Sequence, residues 1–304
     1  MVIEANPLNS INMKKNLSPL FQNMAIVTAG SLLLTIVSCS KDTSTETEEL
    51  TATEVISATE LKYSDETEMI SEEISTLAED VFASDEISST AKSDYHSDYL
   101  PDCVTVTVVL TDTTKEVTLD FGEGCELRNG NLVAGLVHLS YAKDFEAATN
   151  TIELNLEGFM FNGVAVEGSS SIVRVRSNEN GNPQGTANAN FTATWPDGAT
   201  ASFSGTRTRE WIEGFGTGFW GDNVFLITGK RTYVSRAGNE FVKEVTTPLR
   251  REMSCRFIVS GVLEISRLGN TVSLDFGDGT CDAKGTLTYP DGTQEEIFLR
   301  RFMN

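Results

Sequence analysis

Residues 103–125 read CVTVTVVLTDTTKEVTLDFGEGC, and residues 255–281 repeat the design as CRFIVSGVLEISRLGNTVSLDFGDGTC. In both stretches, apolar residues alternate with polar ones on either side of a short polar centre, which is typical of a β-hairpin. The centres are Thr111–Lys115 and Arg267–Asn270. Each predicted hairpin therefore has its turn in the middle and one cysteine at each end.

The alternation also assigns the side chains of each hairpin to faces. In the first hairpin, Val106 and Val108 share a face with Val117 and Leu119. Because strand side chains point alternately to opposite faces, we expect these residues to contact the core. The corresponding apolar residues of the second hairpin are Phe257, Val259, Leu263, Ile265, Val272, Leu274 and Phe276.

Turn signals recur through residues 103–304, which hold 23 of the 24 glycines. Pro-Asp-Gly occurs at 196–198 and 290–292, and Asn-Gly at 162–163, where glycine accepts positive φ. Reading between the turns gives about 11 to 13 strands with short connections. The sequence predicts an all-β domain, an antiparallel meander that forms a sandwich or partly closed barrel, with an internal repeat at about 103–160 and 255–304.

The N-terminus has the features of an export signal. Met13-Lys14-Lys15 is a short basic region, and the uncharged stretch 24–38 has the size of a signal-peptide hydrophobic region. Its 15 residues, rich in Ser, Thr and Gly, are too few for a membrane span. Because residues 1–12 lack signal-peptide character, we expect translation to start at Met13.

The stretch ends in Ile36-Val37-Ser38-Cys39, which resembles a bacterial lipobox. In a lipobox, a small residue precedes a cysteine that is lipidated and becomes the mature N-terminus. The resemblance implies that residues 1–38 are a lipoprotein signal peptide and that Cys39 carries acyl chains such as palmitate. Two or three chains anchor a protein stably, whereas one binds marginally. An ordinary signal followed by a chance cysteine is the alternative.

If Cys39 carries lipid, four of the five cysteines are left to pair. Four cysteines allow three pairings, and hairpin geometry favours Cys103–Cys125 and Cys255–Cys281. An exported protein meets an oxidising compartment, in which such disulfides persist. A four-cysteine metal site is disfavoured because the close Cys-x-x-Cys spacing is missing.

Residues 39–102 form an acidic region, with 18 acidic and 3 basic residues from Ser40 to Asp102. Such a composition does not bury enough apolar surface to offset the entropy of ordering, so we expect a mostly disordered tether. Six apolar residues within it recur near helical spacing, which allows either a short helix docked on the domain or a solvated spacer. The composition favours the spacer. The six are Met69, Ile70, Ile74, Leu77, Val81 and Phe82.

The cysteine-bounded hairpins, their DFGEGC and DFGDGTC endings, and the stretch TRTREWIEG at 206–214 together resemble a family of Bacteroidetes-type lipoproteins. The resemblance covers most of residues 103–300 and implies a cellular location but no activity. The acids that follow Cys39 are similar to those that accompany export to the cell surface. Ser40 differs from the aspartate associated with inner-membrane retention. We therefore expect an outer-membrane protein, anchored through its N-terminal lipid, on the periplasmic or cell-surface face.

Composition and motifs argue against several functions. The net charge of −21 disfavours nucleic-acid binding, which needs a basic surface to displace counterions. The two histidines, His96 and His138, lie in the tether and in an apolar strand. The sequence contains no nucleophile-elbow, zincin, dinucleotide or P-loop motif. We expect no enzyme activity, no cofactor and no metal site.

One carboxylate pair keeps a hydrolase as an alternative. Glu210 and Glu213 flank Trp211-Ile212 and are similar to a pair of glycosidase carboxylates. On a strand, however, positions three apart point to opposite faces, which weakens this interpretation.

The segment from Trp211 to Trp220 is the candidate ligand-binding site. It contains Phe215 and Phe219 among glycines, and Arg207 and Arg209 precede it as possible hydrogen-bond donors. Exposed aromatic rings on such a loop stack on sugars or anchor a protein partner. The alternative is that these rings cover one end of the core.

These observations favour a non-catalytic lipoprotein that binds or scaffolds an envelope component, with a glycan or an envelope protein as its partner. A purely structural envelope component is the third hypothesis, and it predicts a stoichiometric neighbour in crosslinking.

Overall fold

The computed structural model describes residues 56–91, 95 and 97–299. In this part of the chain, one helix, α1 (Ala58–Ala91), precedes fourteen strands. The strands are β1 (Thr105–Leu110), β2 (Thr114–Asp120), β3 (Cys125–Glu126), β4 (Leu132–Ala142), β5 (Thr149–Phe161), β6 (Val164–Val175), β7 (Gln184–Thr194), β8 (Thr200–Glu213), β9 (Val224–Val234), β10 (Glu240–Glu252), β11 (Ile258–Arg267), β12 (Asn270–Asp278), β13 (Lys284–Thr288) and β14 (Gln294–Phe298). A single 3₁₀ turn, Trp220–Asp222, lies between β8 and β9.

The strands form one antiparallel sheet in which almost every strand pairs with its neighbours in sequence. The order is β1-β2-β4 and then consecutively to β14, while the two-residue β3 pairs with β4 beside this path. The predicted all-β antiparallel meander is therefore confirmed. The sheet is open, with β1 and β14 as the two ends of its strand order.

Both cysteine-bounded hairpins are confirmed. Disulfides join Cys103 to Cys125 and Cys255 to Cys281, with Cα–Cα distances of 5.8 and 5.7 Å. The paired cysteines are 22 and 26 positions apart in the sequence, and each disulfide lies at the open end of its hairpin.

The register of the hairpins also matches the predicted faces, with one exception in burial. Val106 pairs with Leu119 and Val108 pairs with Val117. Val117 and Leu119 are buried, but all six residues of β1 are exposed. The expectation that Val106 and Val108 contact the core is wrong because β1 is an end strand of the open sheet.

Residues 58–91 are a 34-residue helix, which corrects the expectation of a solvated spacer for this part of the tether. The hydroxyl of Ser57 accepts a hydrogen bond from the backbone N–H of Glu60 at 3.1 Å, in the Ser-x-x-Glu order of a capping box. No glycine or proline interrupts the segment. Every residue from 64 to 80 is buried, so the helix is covered on all sides over more than four turns.

The sheet and the helix share one core. Inward-facing apolar residues of the strands pack with those of α1 in one continuous cluster. On β7 the inward residues are small except for Phe191, with Ala187, Ala189 and Ala193 in the same alternation. At Gly185, an added Cβ would lie 2.1 Å from a carboxylate oxygen of Glu79 on the helix. The small side chains of β7 therefore allow α1 to approach the sheet closely.

Among the described residues, no helix combines the length and the apolar character needed to cross a bilayer. The predicted signal peptide, Met13, Cys39, the tether before residue 56 and His96 lie outside the described residues.

Candidate functional site

The interior of the sheet is a network of buried opposite charges. Six buried cations point inward from the strands toward α1, and eight acidic residues of α1 are themselves buried. The cations are Arg174, Arg207, Arg209, Arg231, Lys243 and Arg251. The acids are Asp65, Glu66, Glu68, Glu72, Glu73, Glu79, Asp80 and Glu86.

Glu68 is the centre of this network. Its carboxylate accepts hydrogen bonds from Arg207 Nε at 2.7 Å and from Arg231 Nη1 at 3.3 Å, and Lys243 Nζ lies 2.8 Å away. Burial alone would raise the pKa of Glu68, but the charges of Arg207, Lys243 and Arg231 outweigh burial and hold that pKa well below its usual value. The carboxylate is therefore ionised and shared by three cations.

Arg209 joins β8 to the next two turns of the helix. Its Nη1 donates to Glu79 at 2.7 Å, its Nη2 donates to the hydroxyl of Thr76 at 2.9 Å, and its Nε lies 3.0 Å from Glu72. The guanidinium also lies over the ring of Phe225, 4.2 Å from its centroid. Contacts with the helix and with Phe225 therefore hold this side chain inside the protein.

Two other buried acids of α1 bind mainly neutral partners. Glu73 accepts hydrogen bonds from Asn129 and Asn131, at 2.9 and 2.8 Å, and from the hydroxyl of Tyr99. Asp80 accepts one from the hydroxyl of Ser97 at 2.6 Å. Burial raises the pKa of Glu73, and it raises that of Asp80 to about 7. These carboxyl groups are costly to ionise in the folded protein.

This geometry overturns the expectation that Arg207 and Arg209 donate hydrogen bonds to a ligand. They are 0% and 1% exposed, and their donors are directed at α1. Along β8, they continue the inward row that begins with Ala201 and Phe203 and ends with Trp211. Cations at core positions of a two-residue alternation, together with an acidic helical segment elsewhere in the chain, were the signal that could have predicted the network.

The predicted aromatic segment divides into buried and exposed rings. Trp211 is 4% exposed, and its indole N–H donates to Asn223 at 3.2 Å. Trp220 is partly buried, its ring centroid lies 6.2 Å from that of Tyr99, and its backbone N–H donates to Asp98 at 2.7 Å. These two tryptophans cover an end of the core, as the alternative interpretation expected.

Phe215 and Phe219 remain accessible, at 36% and 56% exposure. The ring of Phe215 is held by an edge contact with Trp211, with centroids 5.0 Å apart. Phe215 lines a cavity of 410 Å³, which we call the Phe215 cavity. It is bounded by the C-terminal part of α1 and by the loops that follow β4 and β6, and its other main lining residues are Glu86, Thr90, Ala148, Arg176, Ser177 and Pro183.

Glu210 and Glu213 are each engaged with other side chains. Glu210 accepts hydrogen bonds from Asn180 and Asn182, both at 2.8 Å, and Glu213 lies 3.0 Å from Arg250. Hydrogen bonds from Asn178, Asn180 and Asn182 lower the pKa of Glu210, whereas a catalytic acid needs a raised pKa. Glu210 therefore fixes the loop between β6 and β7, which borders the Phe215 cavity.

The remaining candidate for catalysis is a histidine that contacts neighbouring side chains of the sheet. His138 lies on the outer face of β4, where its ring nitrogens are 3.2 Å from Thr118 Oγ1 and 3.0 Å from Glu157. Among the described residues, no group of three or more His, Cys, Asp or Glu side chains is arranged to hold a metal ion.

Comparisons with protein-family models, with curated proteins and with solved structures gave no match. The resemblance to Bacteroidetes-type lipoproteins therefore stays a prediction. The charged interior and the Phe215 cavity are the structural features that bear on function.

Proposed function

We propose that the protein is a lipid-anchored outer-membrane protein whose domain binds a saccharide without transforming it. Cys39 is the proposed point of lipid attachment, and the proposed ligand site is the Phe215 cavity, with the exposed Phe219 four residues further along the same loop. The membrane and the saccharide are its proposed partners.

The observation that carries this proposal is the contrast between the interior and the surface. The interior of the sheet is filled by α1, and its ionisable side chains are engaged in the buried network. Accessible aromatic rings remain on the outer segment that contains Phe215 and Phe219. The Phe215 cavity has a volume of 410 Å³ and an aromatic ring in its lining, as small-molecule sites commonly do.

The position of α1 limits the distance between the proposed anchor and the domain. The first described residue, Ile56, is buried and lies 17 residues after Cys39. A chain of that length extends over at most about 60 Å. The domain would therefore stay closer to the membrane than a tether ending at residue 102 would allow.

A binding experiment with the full chain in detergent tests the ligand site. Screening on a glycan array should give a hit that Phe215→Ala removes and that Phe219→Ala weakens. Leu268→Ala is the matched control, because Leu268 is an exposed apolar residue in the turn between β11 and β12. Binding that persists in Phe215→Ala, or a screen with no hit, would contradict the proposal.

The anchor is tested separately by metabolic labelling with radioactive palmitate. The wild type should be labelled and should fractionate with the outer membrane, whereas Cys39→Ala should do neither. A wild type released in soluble form would exclude the anchor. If the wild type is membrane-bound, protease treatment of intact cells distinguishes the periplasmic face from the cell surface.

A further inference from the structure

We propose that the saccharide bound in the Phe215 cavity carries a carboxylate, and that Arg176 binds this carboxylate in place of Glu146. This inference rests on the proposed function and names the chemical class of its ligand. The carboxylate of Glu146 already occupies the position on Arg176 that the ligand would take.

The lining of the cavity suits one amphipathic ring. Phe215 contributes an aromatic ring, over which the guanidinium of Arg174 lies 5.5 Å from the centroid, while Ala148 and Pro183 add apolar surface. Ser177 and Thr90 supply hydroxyl groups. A pyranose has an apolar face of C–H groups and a rim of hydroxyls, which match this division.

Arg176 is the accessible cation of the cavity. It directly follows β6, and its side chain is 36% exposed. Its Nη1 lies 2.9 Å from Glu146, whose own side chain is 75% exposed. Exposed ion pairs contribute only about 0–1 kcal/mol, so a ligand carboxylate competes with Glu146 at little cost. Guanidinium and carboxylate also match in planar geometry.

The charges around the cavity leave room for one anion. Glu86 is buried and lies 3.1 Å from Arg174 and 3.9 Å from Arg176. Arg174 faces both Glu86 and the buried Glu79, so its charge is compensated inside the protein. Arg176 is farther from Glu86, and its close partner is the exposed Glu146. A ligand carboxylate that replaces Glu146 would therefore keep Arg176 paired.

The backbone that carries Arg176 is fixed before a ligand arrives. Its N–H donates to the carbonyl of Ala148 at 3.1 Å. In the following loop, Asn178 Oδ1 accepts hydrogen bonds from the N–H groups of Asn180 and Asn182, at 2.9 and 3.0 Å. A site on a fixed backbone loses little conformational freedom on binding, which favours affinity.

The experiment compares acids with their esters on the full chain in detergent, by isothermal titration calorimetry. The probes are trigalacturonic acid and sialyllactose, each beside its methyl ester, which keeps the sugar and removes the charge. We expect the wild type to bind at least one acid about tenfold or more tightly than its ester, as a charge-assisted hydrogen bond requires. Arg176→Gln should abolish this preference, and Glu146→Gln should strengthen binding of the acid several-fold.

Lys230→Gln and Glu244→Gln are the matched controls, because this exposed pair lies on β9 and β10 at 2.9 Å. Neither should change the affinity, and circular dichroism should show that every variant is folded. Equal binding of acid and ester, lost in Phe215→Ala, would overturn the carboxylate inference and leave the proposed function standing. An affinity for the acid that Glu146→Gln leaves unchanged would overturn the exchange. Absence of binding to acids, esters and neutral glycans would overturn both.

Discussion

Glu68 is the residue on which the buried charges depend most. One carboxylate is shared by Arg207, Arg231 and Lys243, which come from three adjacent strands. A buried ion pair adds little net stability over an apolar pair, but removal of one partner leaves the other charge buried and uncompensated. Loss of the Glu68 carboxylate would leave three buried cations without their shared counter-charge.

We therefore predict that Glu68→Gln lowers the free energy of unfolding by about 3–5 kcal/mol or more, the cost of breaking a buried pair. Urea unfolding measures this change. Glu244→Gln provides the comparison, since its partner Lys230 is exposed and such pairs contribute about 1 kcal/mol at most. Similar losses of unfolding free energy in the two variants would contradict the prediction that burial makes the loss of Glu68 costly.

The buried carboxyl group of Asp80 should make the stability of the protein fall as the pH rises, which is opposite to acid denaturation. Burial raises its pKa to about 7 in the folded state. Below the unfolded value near 3.8, the group is neutral in both states. Between these values the unfolded chain ionises and the folded chain does not, so stability falls as pH rises toward 7 and is level above it.

Asp80→Asn should remove this part of the pH dependence and raise stability at pH 8, on the order of a few kcal/mol. The free energies of unfolding at pH 5 and pH 8 measure it. Some decline will persist, because burial also raises the pKa of Glu73 and Glu79. Asp112→Asn, in the exposed first turn, should leave the difference between the two pH values as in the wild type. An unchanged difference in Asp80→Asn would contradict the assignment.

At the scale of elements, α1 departs most from the sequence-based expectation. Its acidic residues are distributed around the helix, so the apolar residues form no clean stripe and the composition suggests a solvated segment. The acids become compatible with burial because cations on β6, β8, β9 and β10 reach them. Those partners lie about 90 to 175 residues away along the chain, beyond any local pattern.

The curvature of the sheet depends on glycines inside strands. On β4, Gly135 has φ +81°, and the register between β4 and β5 shifts at this point. A Cβ there would lie 2.2 Å from the carbonyl oxygen of Gly158 on β5. Such bulges bend a strand and increase its twist, which helps the sheet to curve around the helix.

Gly135→Ala should therefore destabilise the protein by more than the conformational cost of positive φ alone. Gly163→Ala supplies that reference, because Gly163 has φ +83° and open space where its Cβ would be. We expect the first variant to lose at least about 1–3 kcal/mol more than the second, the usual cost of overpacking. Thermal unfolding of both variants measures the difference. Equal losses would show that the clash is relieved by a local shift.

At the scale of the molecule, the domain includes the acidic helix. A chain that begins at residue 103 lacks α1 and leaves five buried cations without the carboxylates they pair with: Arg174, Arg207, Arg209, Arg231 and Lys243. Each uncompensated buried charge costs several kcal/mol, and the total exceeds the stability of a domain. We predict that this truncated chain does not fold, whereas a chain beginning at residue 50 unfolds cooperatively on heating.

A complementation experiment with a helix peptide provides the control for this prediction. A peptide covering residues 56–91 should restore the sheet when added to the chain that begins at 103, as followed by circular dichroism. The same peptide with Glu68, Glu72 and Glu79 changed to Gln should not, because it lacks the charges that the sheet requires. Cooperative folding of the sheet without either peptide would overturn this account of the interior.

The local features of the protein follow from its amino-acid sequence alone. Alternation on both sides of a polar centre located the two hairpins, and the position of a cysteine at each end located both disulfides. Turn residues located the connections of the meander, since glycine lacks a Cβ and adopts the positive φ that tight turns require. These features depend on contacts within about thirty residues, which a one-dimensional pattern records.

The role of the acidic segment and the accessibility of the predicted site residues depend on tertiary contacts. Arg207, Arg209 and Trp211 lie on the inward face of β8, while Phe215 and Arg176 meet at a cavity formed by separate loops and the end of α1. Burial of a charge depends on whether an opposite charge reaches it in space, since burial alone is too costly. Only the folding of the sheet around the helix brings those charges together.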